Sequence, residues 1–135
     1  MRVEVVRGHS DEVADEVVCI VRDDSGRIVG SSSVDDARIP LIGNRRVWVF
    51  RRVLEPEVPA GTEPELINAT FDALAEERER VGGGPSGLCL LVTDRAVMRR
   101  LPEAVWPATR LLYAGYLADG TQVRLRWFEG ASILT

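Results

Sequence analysis

Arg46-Val47-Trp48-Val49-Phe50-Arg51-Arg52-Val53-Leu54, then Glu55-Pro56-Glu57-Val58-Pro59-Ala60-Gly61, then Thr62-Glu63-Pro64-Glu65, is the stretch on which the reading of this chain turns. The first part is rich in β-formers, and the unbroken run Val47 to Phe50 predicts a strand covered on both faces. Two prolines and a glycine between 56 and 61 must end that strand. Thr62 with Glu65 three residues later is a capping box, and Pro64 suits a first turn. A helix is therefore predicted from Thr62 to about Val81. Ile67, Phe71, Leu74 and Arg78 share one face of it, and the charged run 76–80 lies near its end.

Downstream, the glycine-rich run 82–87 stops the helix, and Gly87 to Thr93 reads as a buried strand. The glycine-rich run has no Gly-Lys-Ser/Thr ending and precedes a strand, so it is a turn and not a phosphate loop. A short helix is predicted in 94–101, ended by Pro102. Residues 110–118 and 121–128 form a hairpin around Asp119-Gly120. In the second of these strands Val123, Leu125 and Trp127 alternate with Arg124 and Arg126, which predicts one buried and one wet face.

Upstream, residues 17–22 and 27–34 flank Asp23-Asp24-Ser25-Gly26 and read as another hairpin. Residues 35–45, with Pro40 and Gly43, read as a loop, and residues 2–7 as a short first strand. Between them only a short polar segment remains, which leaves room for about two helical turns. With no repeat and no linker, 135 residues make one domain, a mixed sheet with a βαβ unit at its centre.

Composition narrows the function classes. The net charge of −4 disfavours nucleic acid as a partner. All 17 basic residues are arginine, which excludes lysine Schiff-base chemistry. No run reaches membrane length and the N-terminus lacks an apolar signal core, so a cytoplasmic protein with no membrane partner is expected. Cys19 and Cys89 lie in apolar strands and read as core residues. His9 is the single histidine, and no metal-ligand spacing accompanies it, so no metal is expected. The arginine pairs 45–46, 51–52 and 99–100, with Arg124 and Arg126, read as solvated faces, with binding of an anion or a CoA 3′-phosphate as the alternative. Glu103 and Trp106 read as a pocket wall.

The hairpin, the strand ending Arg51-Arg52-Val53-Leu54-Glu55-Pro56-Glu57, the helix after it, the strand 87–93 and the closing hairpin together resemble the GNAT N-acetyltransferase family over most of the chain, residues 17–128. The resemblance implies an α/β fold: a twisted mixed sheet with flanking helices, here with the N-terminal helices reduced. It implies an acyl-CoA-dependent N-acyltransferase, acetyl-CoA being the cofactor and a small amine the substrate. It also implies a direct attack in which Glu55 or a water is the base and Tyr113 the acid. Cofactor contacts would come from the backbone of Arg52, Val53 and Leu54 and from the turn at Gly61-Thr62.

The family's turn of basic residue and glycines, whose amides bind pyrophosphate, falls on Pro59 to Pro64. Here Pro59 stands at the basic position and Thr62 and Pro64 at the glycines. Glu57, Glu63 and Glu65 add negative charge. The tyrosine that often serves as acid is replaced by Met98 or Arg99, and Tyr113 and Tyr116 on the next strand are its candidate substitutes or else packing residues of that strand. The alternative is therefore a GNAT-like scaffold without CoA chemistry, which is a ligand- or protein-binding module or catalyses unrelated chemistry on the same fold. The short segment after the first strand leaves a sheet face uncovered, which predicts either a partner subunit, as in a homodimer, or a shallow, open site.

Overall fold

The computed structural model describes residues 1–7 and 16–131. His9 and most of the short polar segment after the first strand, on which the expectation of reduced N-terminal helices rests, lie outside the described residues. The described strands are β1 (Arg2–Val5), β2 (Val17–Arg22), β3 (Ile28–Ile39), β4 (Arg45–Leu54), β5 (Gly87–Val92), β6 (Leu112–Tyr116) and β7 (Gln122–Trp127). The helices are α1 (Thr62–Val81) and α2 (Arg95–Arg100), and a 3-10 turn occupies Pro40–Ile42. The seven strands follow the order β1-β2-β3-β4-β5-β7-β6. β4 and β5 are parallel, with Trp48 opposite Leu88 and Val49 opposite Cys89, and the last five residues of β4, Phe50 to Leu54, run past that register. β1–β2, β2–β3, β5–β7 and β6–β7 are antiparallel. The sheet is thus mixed, as the sequence predicts, and the architecture is α/β.

The chain divides into two compact units. The first holds residues 1–35 and 50–81. In it α1 packs on β1 and β2. Leu66, Ile67, Phe71 and Leu74 are its buried apolar residues. Val18, Cys19, Ile20, Val21, Val29, Val34 and Phe50 are the buried hydrophobic strand residues of the same unit. A polar thread crosses this apolar packing. The Thr70 hydroxyl donates to the Leu66 carbonyl at 2.7 Å and meets the Ser32 hydroxyl at 2.7 Å, and Ser32 Oγ accepts from the Cys19 amide at 3.2 Å. Every buried hydroxyl in it has a partner, so burying it costs little.

The second unit holds residues 36–49 and 82–135, of which those to 131 are described. One core cluster in it is Ile39, Ile42, Val47, Val49, Cys89, Val123 and Leu125, and Leu88, Val92, Trp106, Leu111 and Phe128 are buried as well. The β6–β7 turn follows the sequence expectation. Gly120 has φ +89°, Gly120 N–H donates to the Leu117 carbonyl at 3.0 Å, and Asp119 Oδ1 accepts from the Thr121 amide at 2.9 Å. Asp94 caps α2 by accepting from the Ala96 amide at 2.8 Å.

Two expectations are corrected. Residues 35–39 are the end of β3 and not a loop. Asp35 and Asp36 are tolerated in a strand because Arg51 and Arg46 pair with them. The second correction concerns Arg124, predicted on a wet face. It is 1% exposed, because the segment 101–111 runs over it.

Candidate functional site

The first unit contains the turn from β4 into α1. Arg52 and Val53 are exposed at the strand's end, and the Glu55 amide donates to the Val29 carbonyl at 3.0 Å. The chain comes this close to β3 because Gly30 lies beneath it. A Cβ at Gly30 would overlap Leu54 Cδ2 and approach the Val53 carbonyl oxygen to 2.9 Å. The turn then closes on itself. The Val58 amide donates to the Glu55 carbonyl at 3.3 Å, and the Thr62 amide to the Pro59 carbonyl at 2.9 Å. The first intrahelical bond runs from the Glu65 amide to the Gly61 carbonyl at 3.3 Å. Gly61, not Thr62, therefore occupies the cap position, one residue earlier than the capping box suggests. Thr62 is 3% exposed, so its hydroxyl is not presented to a ligand.

Two ion pairs dress this turn. Arg52 Nε lies 3.0 Å from Glu63 Oε2, joining the strand's end to the helix's first turn. Arg27 grips Glu55 with both forks, Nη1 to Oε1 at 2.7 Å and Nη2 to Oε2 at 2.9 Å. The Arg27 hydrogen bonds hold the Glu55 carboxyl below its ordinary 4.5. To act as a base, Glu55 would have to release Arg27 first.

The second unit contains a different cluster, on β6 and β7. Tyr113 lies opposite Arg124 and Tyr116 opposite Gln122, with a one-residue β-bulge between Tyr113 and Gly115. In a regular strand, residues three apart point to opposite faces. The bulge brings Tyr113 and Tyr116 to the same face, where their rings meet edge to face with centroids 5.6 Å apart. Gly115 makes this possible. Its φ of +127° is unfavourable for other residues, and a Cβ there would lie 3.0 Å from Leu41.

Beneath the tyrosines, Arg124 donates through Nε to Gln122 Oε1 at 2.8 Å. Its other nitrogens reach the carbonyls of Ala104, Leu111 and Leu101 at 3.4, 3.4 and 3.5 Å. Its guanidinium also lies over the Trp106 ring, 4.2 Å from the centroid. Desolvation lowers its pKa, and the charge of Glu103 acts against that. Among the described residues no carboxylate stands within 4.0 Å of Arg124. The Thr109 hydroxyl in the covering segment is buried with no hydrogen-bond partner among the described residues, and Arg110 has φ +60°.

No protein-family model matches the sequence, and no curated protein matches it. Among solved structures, the chain is similar to an acetyltransferase of the GNAT family from Streptococcus agalactiae 2603. The TM-score is 0.51 at 10% identity, over 84% of this chain and 66% of that one. The fold is GNAT-like. Since the chain spans slightly under two thirds of that acetyltransferase, what the GNAT-like scaffold does here rests on its own residues.

Those residues do not fit the CoA pyrophosphate that a GNAT-like fold implies. A helix start binds such a group through free amides and its positive dipole end. Here the Thr62 and Glu65 amides are bonded within the turn. Pro59 and Pro64 have no amide hydrogen. Arg52 is paired with Glu63, and Glu65 adds a second acid to the first turn. An incoming pyrophosphate would meet two carboxylates and few donors.

The sequence-derived site residues divide between the units. Arg52, Val53, Leu54, Glu55, Gly61 and Thr62 are together in the first, and Tyr113 belongs to the second, where it is 46% exposed. Of the proposed pocket wall, Trp106 is buried against Arg124, while Glu103 is exposed. Sequence reasoning singled out Tyr116 and Arg124 separately and missed Gln122, which joins them. The isolated Gly115 inside a strand was the available signal, because a strand glycine often marks a bulge. Cys19 and Cys89 are free and buried, and desolvation raises the Cys89 thiol to about 12, so neither is a nucleophile. Among the described residues no three His, Cys, Asp or Glu side chains are grouped to hold a metal ion.

Proposed function

We propose that this GNAT-like chain is a binding module that has given up the CoA site of its fold. The observation that carries this reading is the Arg52–Glu63 ion pair, 3.0 Å across the turn where the fold's anion site would be. It places the turn's cation against an internal acid and leaves a negative helix start. Isothermal titration with acetyl-CoA tests the reading. No saturable heat at millimolar concentration is the expected result, and one-to-one binding in the micromolar range would overturn it.

A second reading is favoured by the fold itself: an acyl-CoA-dependent N-acyltransferase acting on a small amine. In it the backbone of Arg52, Val53 and Leu54 and the turn at Gly61-Thr62 would hold acetyl-CoA. Glu55 would be the base and Tyr113 the acid. The same titration separates the two readings.

We place the protein in the cytoplasm. No described helix is long and apolar enough to cross a membrane, and both cysteines are free thiols, as a reducing compartment keeps them. The homodimer expected from the sequence belongs to this proposal too. Light scattering that gave a monomeric mass at high concentration would remove it.

A further inference from the structure

Gln122 is the link between a buried cation and an exposed phenol. Arginine Nε can only donate, so the Gln122 carboxamide must turn its oxygen to Arg124, as the 2.8 Å contact shows. Its nitrogen then faces the other way and donates to the Tyr116 oxygen at 3.3 Å. The Tyr116 oxygen is thus an acceptor within the protein, and its own O–H is left to be donated outward. Tyr116 is 50% exposed, while Arg124 and Gln122 are 1% and 4% exposed. The three groups form a polarised chain that runs from buried positive charge to the surface. Beside its outer end stands the Tyr113 ring, itself 46% exposed and held at 5.6 Å by the bulge.

Two further observations mark this face as built for a ligand. The Arg124 charge has no carboxylate within ion-pair distance among the described residues, and three of its contacts are at 3.4–3.5 Å, longer than usual for a protein hydrogen bond. The β-bulge and the positive φ of Gly115 hold both tyrosines on one face, an arrangement that a regular strand does not produce.

We infer that the Tyr113–Tyr116 face of β6 and β7 binds a small organic carboxylate, the Tyr116 hydroxyl donating to the carboxylate and the Tyr113 ring flanking its apolar body. The Arg124 charge, relayed through Gln122, favours the anion without touching it. Glu103 in the covering segment opposes it, since it is the carboxylate whose field reaches Arg124. The site lies wholly in the second unit and does not depend on how the β4–α1 turn is read.

The chain has two tyrosines, so ring-carbon labelling of tyrosine gives one signal for each. The labelled protein is titrated with benzoate, acetate and inorganic phosphate at constant ionic strength and pH. The expected result is a saturable shift of the Tyr116 signal with benzoate, at lower concentration than with acetate and with no saturation by phosphate. Tyr116→Phe, which keeps the ring, should abolish the benzoate response seen at Tyr113. Gln122→Met should weaken benzoate by about tenfold, the order of one lost hydrogen bond in a charged chain. Glu103→Gln should tighten it. Absence of saturation by benzoate and acetate would overturn the inference. So would saturation by phosphate alone, or a benzoate response that persists unchanged in Tyr116→Phe. A folded Tyr116→Phe variant, checked by its spectrum, keeps the result independent of stability.

Discussion

Arg52 and Glu63 join the last turn of sheet to the first turn of helix, Nε to Oε2 at 3.0 Å, and both side chains remain about four-tenths exposed. The pair closes the opening between β4 and α1 with internal charge. Exposed pairs of this kind stabilise a protein by only about 0–1 kcal/mol. Its consequence is electrostatic: the helix start is left with acids, which suit its dipole and repel an anion.

Glu63→Gln is expected to change the unfolding free energy by less than about 1 kcal/mol in urea denaturation. It should also fail to create acetyl-CoA binding by titration calorimetry. Removing the acid leaves Pro59 and Pro64 without amide hydrogens and the Thr62 and Glu65 amides still bonded within the turn. Binding gained by this single change would mean that the acid alone closes the site.

Arg124→Met is expected to destabilise by about 2–4 kcal/mol, because Gln122 Oε1 and the carbonyls behind it lose a donor inside the protein. Arg124→Lys should not restore the loss, since an ammonium lacks the planar fork and the stacking on Trp106. Urea midpoints of the two variants, with Trp fluorescence as the probe, check both statements.

Gly87→Ala should destabilise the protein more than an ordinary strand substitution, by about 1–3 kcal/mol. A Cβ there would lie 2.6 Å from the Arg126 carbonyl oxygen and 3.2 Å from Trp127 Cα, both backbone atoms in the paired strand. Gly26→Ala meets no atom within 4 Å, and its cost comes from its φ of +86°. Thermal midpoints of the two variants separate the packing cost from the backbone cost.

Acid stability follows from the carboxylates. Hydrogen bonds from Arg27 lower Glu55 from 4.5, and those from Arg46 lower Asp36 from 3.8. A carboxyl depressed in the folded state contributes stability above its unfolded pKa, and this is lost as pH falls through the folded value. Urea midpoints should therefore be level from neutral pH down to the upper fours and decline below that. Glu55→Gln and Asp36→Asn should each make the decline shallower.

Both thiols should be inert in the folded protein. Cys19 is raised by desolvation, as Cys89 is, and both are buried. Labelling with an aromatic disulfide reagent should be slow in buffer and rapid in denaturant, where both react.

Much of the fold was legible because its signals are local. The strand containing Val47 to Phe50, the helix from Thr62 to Val81, the Asp119-Gly120 hairpin and the short helix before Pro102 all appear where local pattern places them, with the cap of the long helix one residue earlier, at Gly61. The loop expected at 35–45 was misread because Asp35 and Asp36 look like turn residues until Arg51 and Arg46 are seen beside them. Arg124 was misread because alternation reports which residues share a face, not what covers that face.

By itself, the sequence determined the α/β order of elements and the loss of amide donors at the β4–α1 turn. Helix caps, turns and prolines act on neighbours within a few residues, so they can be read without a fold. Tertiary structure alone decided that Arg52 is taken by Glu63, that Glu55 is held by Arg27, and that a bulge sets two tyrosines over a buried arginine. These relationships join residues 11 and 28 positions apart in the first two cases, and cross-strand partners in the third. Their energies depend on distance and burial in space, which only strand register and chain packing supply.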